Sequence, residues 1–361
     1  MALTTDVSKI NETQWPNRTN ITDPNLVFNS GHVVAIATYS VLMVISAIGN
    51  ITVLSTILRR RRKTRSRINT MLMHLAIADL IVTFLMMPLE IVWNYHVQWV
   101  FGDVWCRITA FFRIFGLFLS GFILICISVD RYLAVLKPLS LSQVDRRGKL
   151  MLASAWIAST ICSAPQVYVF HVEEHPTQAN FTQCVTFHSF PSKAYENAYN
   201  YFGMVMMYCL PLLAIIYCYA AILVEIYQRS QSIDNIRRSG LGFLGRAKSR
   251  TLKMTIIIVV VFIICWTPYY IMCVWFWTEP VTANDIDHRI QKTLFMFAST
   301  NSCANPIVYG LFNIKTRRGA NQVGGSRGGR GGKKCLASVA SYSSGQYNFT
   351  NMSLSIRTEE Y

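Results

Sequence analysis

Charge is what this sequence has little of: across 361 residues, 14% are Asp, Glu, Lys or Arg and 52% are hydrophobic. Ordinary soluble domains carry about 25% charged residues, so so little charge excludes a soluble domain of normal surface and makes a membrane protein the expectation. Acidic residues are scarcer still, 18 against 34 basic ones. The start "MALTTDVSKINETQWPNRTN" lacks the charged opening and apolar core of a cleavable signal peptide, so the first span is expected to act as an uncleaved insertion signal. No loop carries a nucleophile–base grouping or metal-ligand spacing, which leaves an enzyme without support. Repeated halves and paired broken spans are missing too, and alternating access by a transporter requires them.

What is present is seven apolar runs, each long enough for a hydrocarbon core of about 30 Å. They cover His32 to Leu58, Asn69 to Trp93, Val104 to Leu136, Lys149 to Phe170, Ala198 to Tyr227, Thr251 to Trp277 and Ile290 to Phe312. The net charge of +16 is not spread as a nucleic-acid surface. It concentrates in "RRRRKTRSR" (59–67), "DRRGK" (145–149), the linker 229–253 and the tail after Phe312, while "NYHVQWVFG" has no Lys or Arg and 171–196 has only Lys193. Basic residues mark cytoplasmic segments, so the N-terminus lies outside and the tail inside. The expected fold is an all-α membrane protein, a bundle of seven transmembrane helices (32–312) between an extracellular N-terminus (1–31) and a cytoplasmic segment (313–361).

The sequons agree. Asn11, Asn17, Asn20 and Asn180 each begin N-x-S/T on the outer side, where glycosylation occurs. Asn50, Asn348 and Asn351 match the pattern inside a span or the tail and are read as chance matches. Of ten cysteines most lie within spans as small packing residues. Cys106, at the outer start of the third span, and Cys184, in the second outer loop, share oxidising space, where a disulfide is expected; the alternative is two free thiols.

Away from the span ends, the ionisable groups that stand out are Asp79, Glu90, Arg113 and the Asp130–Arg131 pair, with Glu225 near an inner end. Each costs about 2.5–3.5 kcal/mol on insertion scales, so each is paired, wetted or functional. Asp79, with Asn50, Ser120, Asn301, Ser302 and Asn305, can form a polar cluster that suits a sodium ion, ordered water or a structural hydrogen-bond network. Pro88, Pro165, Pro211, Pro268 and Pro306 each remove a backbone hydrogen bond and are expected to kink their helices, either as pivots or only as shapers of packing.

The motifs then fall into one order. "GN" (49–50), "LAIADL" (75–80), Cys106, "DRY" (130–132), Trp156, Cys184, Pro211 with Tyr219, "FIICWTPYY" (262–270) and "NPIVY" (305–309) resemble the rhodopsin-like G-protein-coupled receptors from about residue 32 to 315. Within that family, "MLMHLAIADLIVTFLMMPLEI", "FHVEEHP" and "FASTNSCANPIVYGLFNI" look like the insect adipokinetic hormone receptors, which group with the corazonin and gonadotropin-releasing-hormone receptors. The resemblance implies a plasma-membrane receptor for a secreted, amidated peptide, coupled to heterotrimeric G proteins. It also implies that Asp130 restrains Arg131 at rest, and that Arg131 extends toward Tyr219 and Tyr309 when the sixth helix swings out. Tyr132, Phe262, Asn305 and Pro306 complete this activation set.

Two departures stand out. Lys248 occupies the place of an acid that latches the arginine in some relatives, and Gly121 replaces a bulkier residue facing Phe262 and Pro211. Arg113 stands where amine receptors carry an aspartate, which argues against a cationic amine and suits peptide carbonyls, since a guanidinium offers several fixed donors. A Glu90–Arg113 bridge that needs no ligand is the other reading. Trp93, Trp266, Tyr269, Tyr270, Phe276 and Phe295, with Asn94 and Gln166, are the expected pocket lining, near which related receptors hold the amidated end of their peptide. For Trp93, Trp99, Trp275 and Trp277 an interfacial belt explains the aromatics equally. An opsin needs a lysine where Ser299 stands; Lys292 lies too far out.

After Tyr309, "GLFNIKTRRG" is expected to form a short amphipathic eighth helix against membrane lipid. "GGSRGGRGGKK" reads as a spacer rather than an RNA-binding tract. The Ser/Thr/Tyr-rich end from Ser338 is a candidate for phosphorylation and arrestin binding, and Cys335 for palmitoylation.

Overall fold

The structure is a computed structural model that describes residues 26–61, 66–136, 144–176, 178–233, 242–279 and 288–311. Asn11, Asn17, Asn20, the side chain of Lys248, the amphipathic segment beyond Leu311, Cys335 and the tail lie outside the described residues. By internal contacts the chain divides into Met1–Ile314 and Lys315–Tyr361, and the described residues all belong to the first unit.

Seven helical segments follow in order. α1 is Ser30–Arg61; α2 joins Arg67–Ile81 to Met87–His96 through a π turn, Val82–Met86. α3 is Gly102–Leu136, and α4 is Val144–Ser163 continued by Pro165–Val169. α5 runs from Lys193 through a π turn at Val205–Cys209 to Ile233, and α6 is Gly242–Thr278. α7 consists of His288–Ser299 and residues 301–311 on either side of a turn at Thr300. Among the described residues six helices are long and apolar enough to cross a membrane unbroken. The seventh run divides at Thr300, so neither piece reaches spanning length alone.

The lipid-facing surface is plain in the exposed apolar residues: Val41 and Ile48 of α1, Ile157 and Ile161 of α4, and Leu213 and Leu223 of α5. α3 is the hub. In its most apolar window 78% of residues are buried, against 22% for α1, because α2, α4, α5 and α6 all pack on it. At Gly116 an added Cβ would lie 3.2 Å from the backbone N of Val82 and 2.8 Å from its side chain. Only glycine lets α2 and α3 approach this closely.

The prolines do more than bend. Pro88 and Pro211 each sit just past a π turn, where the widened ladder absorbs the missing N–H. Pro306 would otherwise bond the carbonyl of Ser302; that oxygen instead accepts Asn50 Nδ2 at 3.0 Å and Ser46 Oγ at 3.4 Å, both from α1. Gly49 makes this possible, since a Cβ there would fall 2.6 Å from Pro306 Cγ. The "GN" pair and the proline of "NPIVY" are thus one contact. At Gly121 an added Cβ would meet Pro211 Cγ at 3.5 Å, so a small side chain would fit and a bulkier one would press on α5.

The outer loop between α4 and α5 holds an antiparallel hairpin that the sequence reading did not include. β1 (His171–Glu174) pairs with β2 (Thr182–Val185), with Val172 opposite Cys184. Cys106 and Cys184 form a disulfide, with 5.6 Å between their Cα atoms. The hairpin is further fixed by Trp99 N to Thr182 O at 2.7 Å and by Val172 N to Asp103 Oδ1 at 3.0 Å. Asn180 occupies its exposed turn with a φ of 62°.

Candidate functional site

Under the hairpin, in the outer half of the bundle, Arg113 Nη2 of α3 lies 2.6 Å from Glu90 Oε1 of α2. Both side chains are nearly buried, at 12% and 9% exposure. The pair is an ion pair without a well-aligned hydrogen bond: Glu90 Oε1 and Arg113 Nε and Nη1 are buried with no hydrogen-bond partner among the described residues. Buried donors left unmade are costly, so this guanidinium is set to receive acceptors from elsewhere. Its carbon sits 5.5 Å from the ring centres of both Trp93 and Phe295, within cation–π range.

The aromatics continue inward as a chain. Phe295 meets Tyr269 at 5.5 Å, and Tyr269 meets Trp266 at 6.1 Å and Tyr270 at 5.3 Å. Trp266 reaches Phe262 at 6.5 Å, so a continuous path of rings leads from the ion pair to the middle of α6. Asn94 Nδ2 turns back onto the Glu90 carbonyl at 2.8 Å, leaving its Oδ1 as acceptor. Gln166 is buried at the α4 break. Phe276 is half-buried, and among the described residues it makes no ring contact with this cluster.

Below lies the Asp79 network. Asp79, fully buried, accepts Asn305 Nδ2 at 2.9 Å and Ser120 Oγ at 3.4 Å. Asn50 donates to Ser46, and Ser46 and Thr83 share a hydrogen bond of 2.6 Å. Asn301 and Ser302 are buried too, and the Oδ1 atoms of Asn301 and Asn305 have no hydrogen-bond partner among the described residues. The Asp79 carboxylate and the unused Oδ1 of Asn305 thus lie within one buried polar network.

At the cytoplasmic end, Asp130 is 1% exposed. Arg131 Nη2 bonds its Oδ2, and Arg67 Nη1 of α2 bonds its Oδ1 at 2.8 Å. Tyr219 of α5 is half-buried and lies near Ser128, Thr255 and Arg131. Tyr309 is buried on α7. Tyr132 points the other way, with its ring 6.0 Å from that of Tyr217.

Residues 49–309 match the family model described as 7 transmembrane receptor (rhodopsin family). The chain belongs to that family. Its similar relatives include the gonadotropin-releasing hormone II receptor of Clarias gariepinus, 40% identical over 289 residues, covering 78% of this chain and 76% of that one. The gonadotropin-releasing hormone receptors of Bos taurus and Rattus norvegicus are 34% and 35% identical, each covering 71% of this chain and 80% of the relative. The protein is therefore a multi-pass plasma-membrane receptor of the rhodopsin family and not an enzyme.

In this receptor the structure brings together most residues that the sequence singled out. Glu90, Trp93, Arg113, Tyr269 and Phe295 converge at the outer site, and Asp79, Ser120 and Asn305 at the middle. Sequence reasoning missed three participants. Gln183 of β2 accepts Trp93 Nε1 at 2.9 Å, tying the hairpin to the pocket wall. Tyr208 stacks on Tyr270 at 5.0 Å and hydrogen-bonds Thr267 at 2.5 Å. Arg67, the third, stands in a basic cluster that membrane topology alone accounts for. The available signal for Tyr208 was its place three residues before Pro211, one turn up the same helix.

Proposed function

We propose that this receptor binds an adipokinetic-hormone-like neuropeptide with an amidated C-terminus and, through heterotrimeric G proteins, raises calcium and/or cyclic AMP. The observation that carries the reading is Arg113: a nearly buried guanidinium with two unpartnered nitrogens, flanked by Trp93 and Phe295. Peptide carbonyls meet those donors, and peptide aromatics suit the rings around them. Asn94 Oδ1 is placed to accept a terminal amide N–H. Gln166, Trp266 and Tyr270 line the floor, with Phe276 as a rim contact at the outer end of α6.

Signal passes inward along the rings to Phe262 and through the α7 break at Asn305 and Pro306. It reaches Arg131, which leaves Asp130 for Tyr219 and Tyr309 and opens a cleft for the G protein. Sodium at Asp79, held with Ser120, Asn301 and Ser302, stabilises the resting arrangement. Asn180, exposed at the hairpin turn, is a glycosylation site together with Asn11, Asn17 and Asn20, and the tail recruits arrestin once phosphorylated.

The second reading, a receptor for corazonin or a peptide intermediate between the two, keeps the same chemistry; the relatives, named as gonadotropin-releasing hormone receptors, support a peptide hormone as the ligand class. The test is a panel of synthetic adipokinetic, corazonin, intermediate and gonadotropin-releasing-type peptide amides on transfected cells, read by calcium and cyclic AMP. The adipokinetic type should be the most potent. A response confined to another type would replace this ligand, and loss of response to every peptide but not to small amines would overturn the peptide reading.

A further inference from the structure

The Asp130 carboxylate is held by two guanidiniums at once, one on each oxygen. Arg131, its neighbour on α3, takes Oδ2, and Arg67, from the first turn of α2, takes Oδ1 at 2.8 Å. Among the described residues these are its two ion-pair partners. Asp130 is 1% exposed, whereas the Arg67 side chain is 37% exposed and so reaches the interface from solvent. Arg131 Nε is buried without a hydrogen-bond partner among the described residues, so Arg131 is the less completely satisfied of the two.

This arrangement bears on a difficulty in the coupling step proposed above, on which the inference rests. If Arg131 moves away toward Tyr219, a carboxylate buried this deeply is left behind. An uncompensated buried charge is strongly destabilising, and that cost would oppose activation. Arg67 removes the difficulty. Arg67 is carried on α2, which packs against α3, and not on α5 or α6, so it keeps its place beside Asp130 while Arg131, α5 and α6 rearrange.

The geometry points to Arg67 as the counter-ion that keeps Asp130 paired after Arg131 leaves it, and so as a positioning residue that favours the coupled state. It is not a second latch. A latch would be lost on activation, and its removal would raise signalling without ligand; a retained counter-ion predicts the opposite sign. The distinction matters because Lys248 stands where a latching acid is expected, and Arg67 could be mistaken for its replacement.

The experiment measures ligand-free GTPγS exchange on membranes and the calcium response to a synthetic adipokinetic-type peptide amide, at matched surface expression. Arg67→Gln should lower basal exchange and shift peptide potency about three- to tenfold to the right, while Arg67→Lys restores most of both. On an Asp130→Asn background Arg67→Gln should change neither, because no buried charge remains to be paired. A rise in basal exchange with Arg67→Gln, an unchanged response, or an equal loss on the Asp130→Asn background would overturn the proposal. Arg131→Ala, run alongside, tests the coupling reading separately: a full response there sinks that reading whatever Arg67 does, and basal exchange remains readable if the peptide is the wrong one.

Discussion

Asn50 Nδ2 donates at 3.0 Å to the carbonyl of Ser302, the oxygen that Pro306 leaves without its helical N–H. A residue of α1 thereby repairs the ladder of α7, 252 positions away in sequence. Asn50→Ala removes the donor and leaves a buried carbonyl whose remaining partner among the described residues is Ser46, at 3.4 Å. The expected loss is about 1–3 kcal/mol. It should appear as a lower unfolding temperature of detergent-solubilised receptor and reduced surface expression; an unchanged midpoint would show that the repair is not needed.

Cys106 and Cys184 close a loop across 78 positions and tie β2 to the outer end of α3. Removing such a link costs about 2–4 kcal/mol, and here the hairpin would also lose its seat over Glu90 and Arg113. Cys106→Ala should reach the surface in smaller amounts and lose high-affinity peptide binding. The check is peptide mapping of native receptor by mass spectrometry beside surface binding of the variant. Recovery of both cysteines as free thiols from folded receptor contradicts the assignment.

At the pocket, Arg113→Ala should lower peptide potency at least about tenfold, because charge-assisted hydrogen bonds lost with it are worth about 1.5–3 kcal/mol. The Glu90→Gln, Arg113→Gln double variant separates ligand contact from mere pairing. It removes the charges of both partners, so normal potency at matched expression would mean that they serve only each other.

Much of this was legible in the sequence, for identifiable reasons. Span limits came from lipid, which demands long uncharged helices, and the structure moves them by only a few residues at most ends: His32 to Leu58 becomes Ser30–Arg61, and Asn69 to Trp93 becomes 67–96. Glu90, Arg113 and Asp79 stood out because charges in hydrocarbon need partners, and Asn305 does meet Asp79. The hairpin at 171–185 was not legible, since its strands are four residues each and held largely by distant groups such as Asp103 and Trp99. Arg67 hid within a basic run that topology alone explained. The π turns at Val82–Met86 and Val205–Cys209 lie beside Pro88 and Pro211, and periodicity does not encode them.

In the proposed receptor the peptide binds near Arg113 and Arg131 carries the signal out. Along α3 the two lie about 27 Å apart at about 1.5 Å per residue, so Arg131 cannot touch the ligand. Paired peptide-binding and calcium or cyclic-AMP dose-response curves on the same cells test this most directly. Arg131→Ala should retain most binding, with some loss of affinity because coupling and agonist binding are reciprocal, and should nearly abolish the response. Asp130→Asn should raise output without ligand. A full response from Arg131→Ala at normal surface expression would contradict the account.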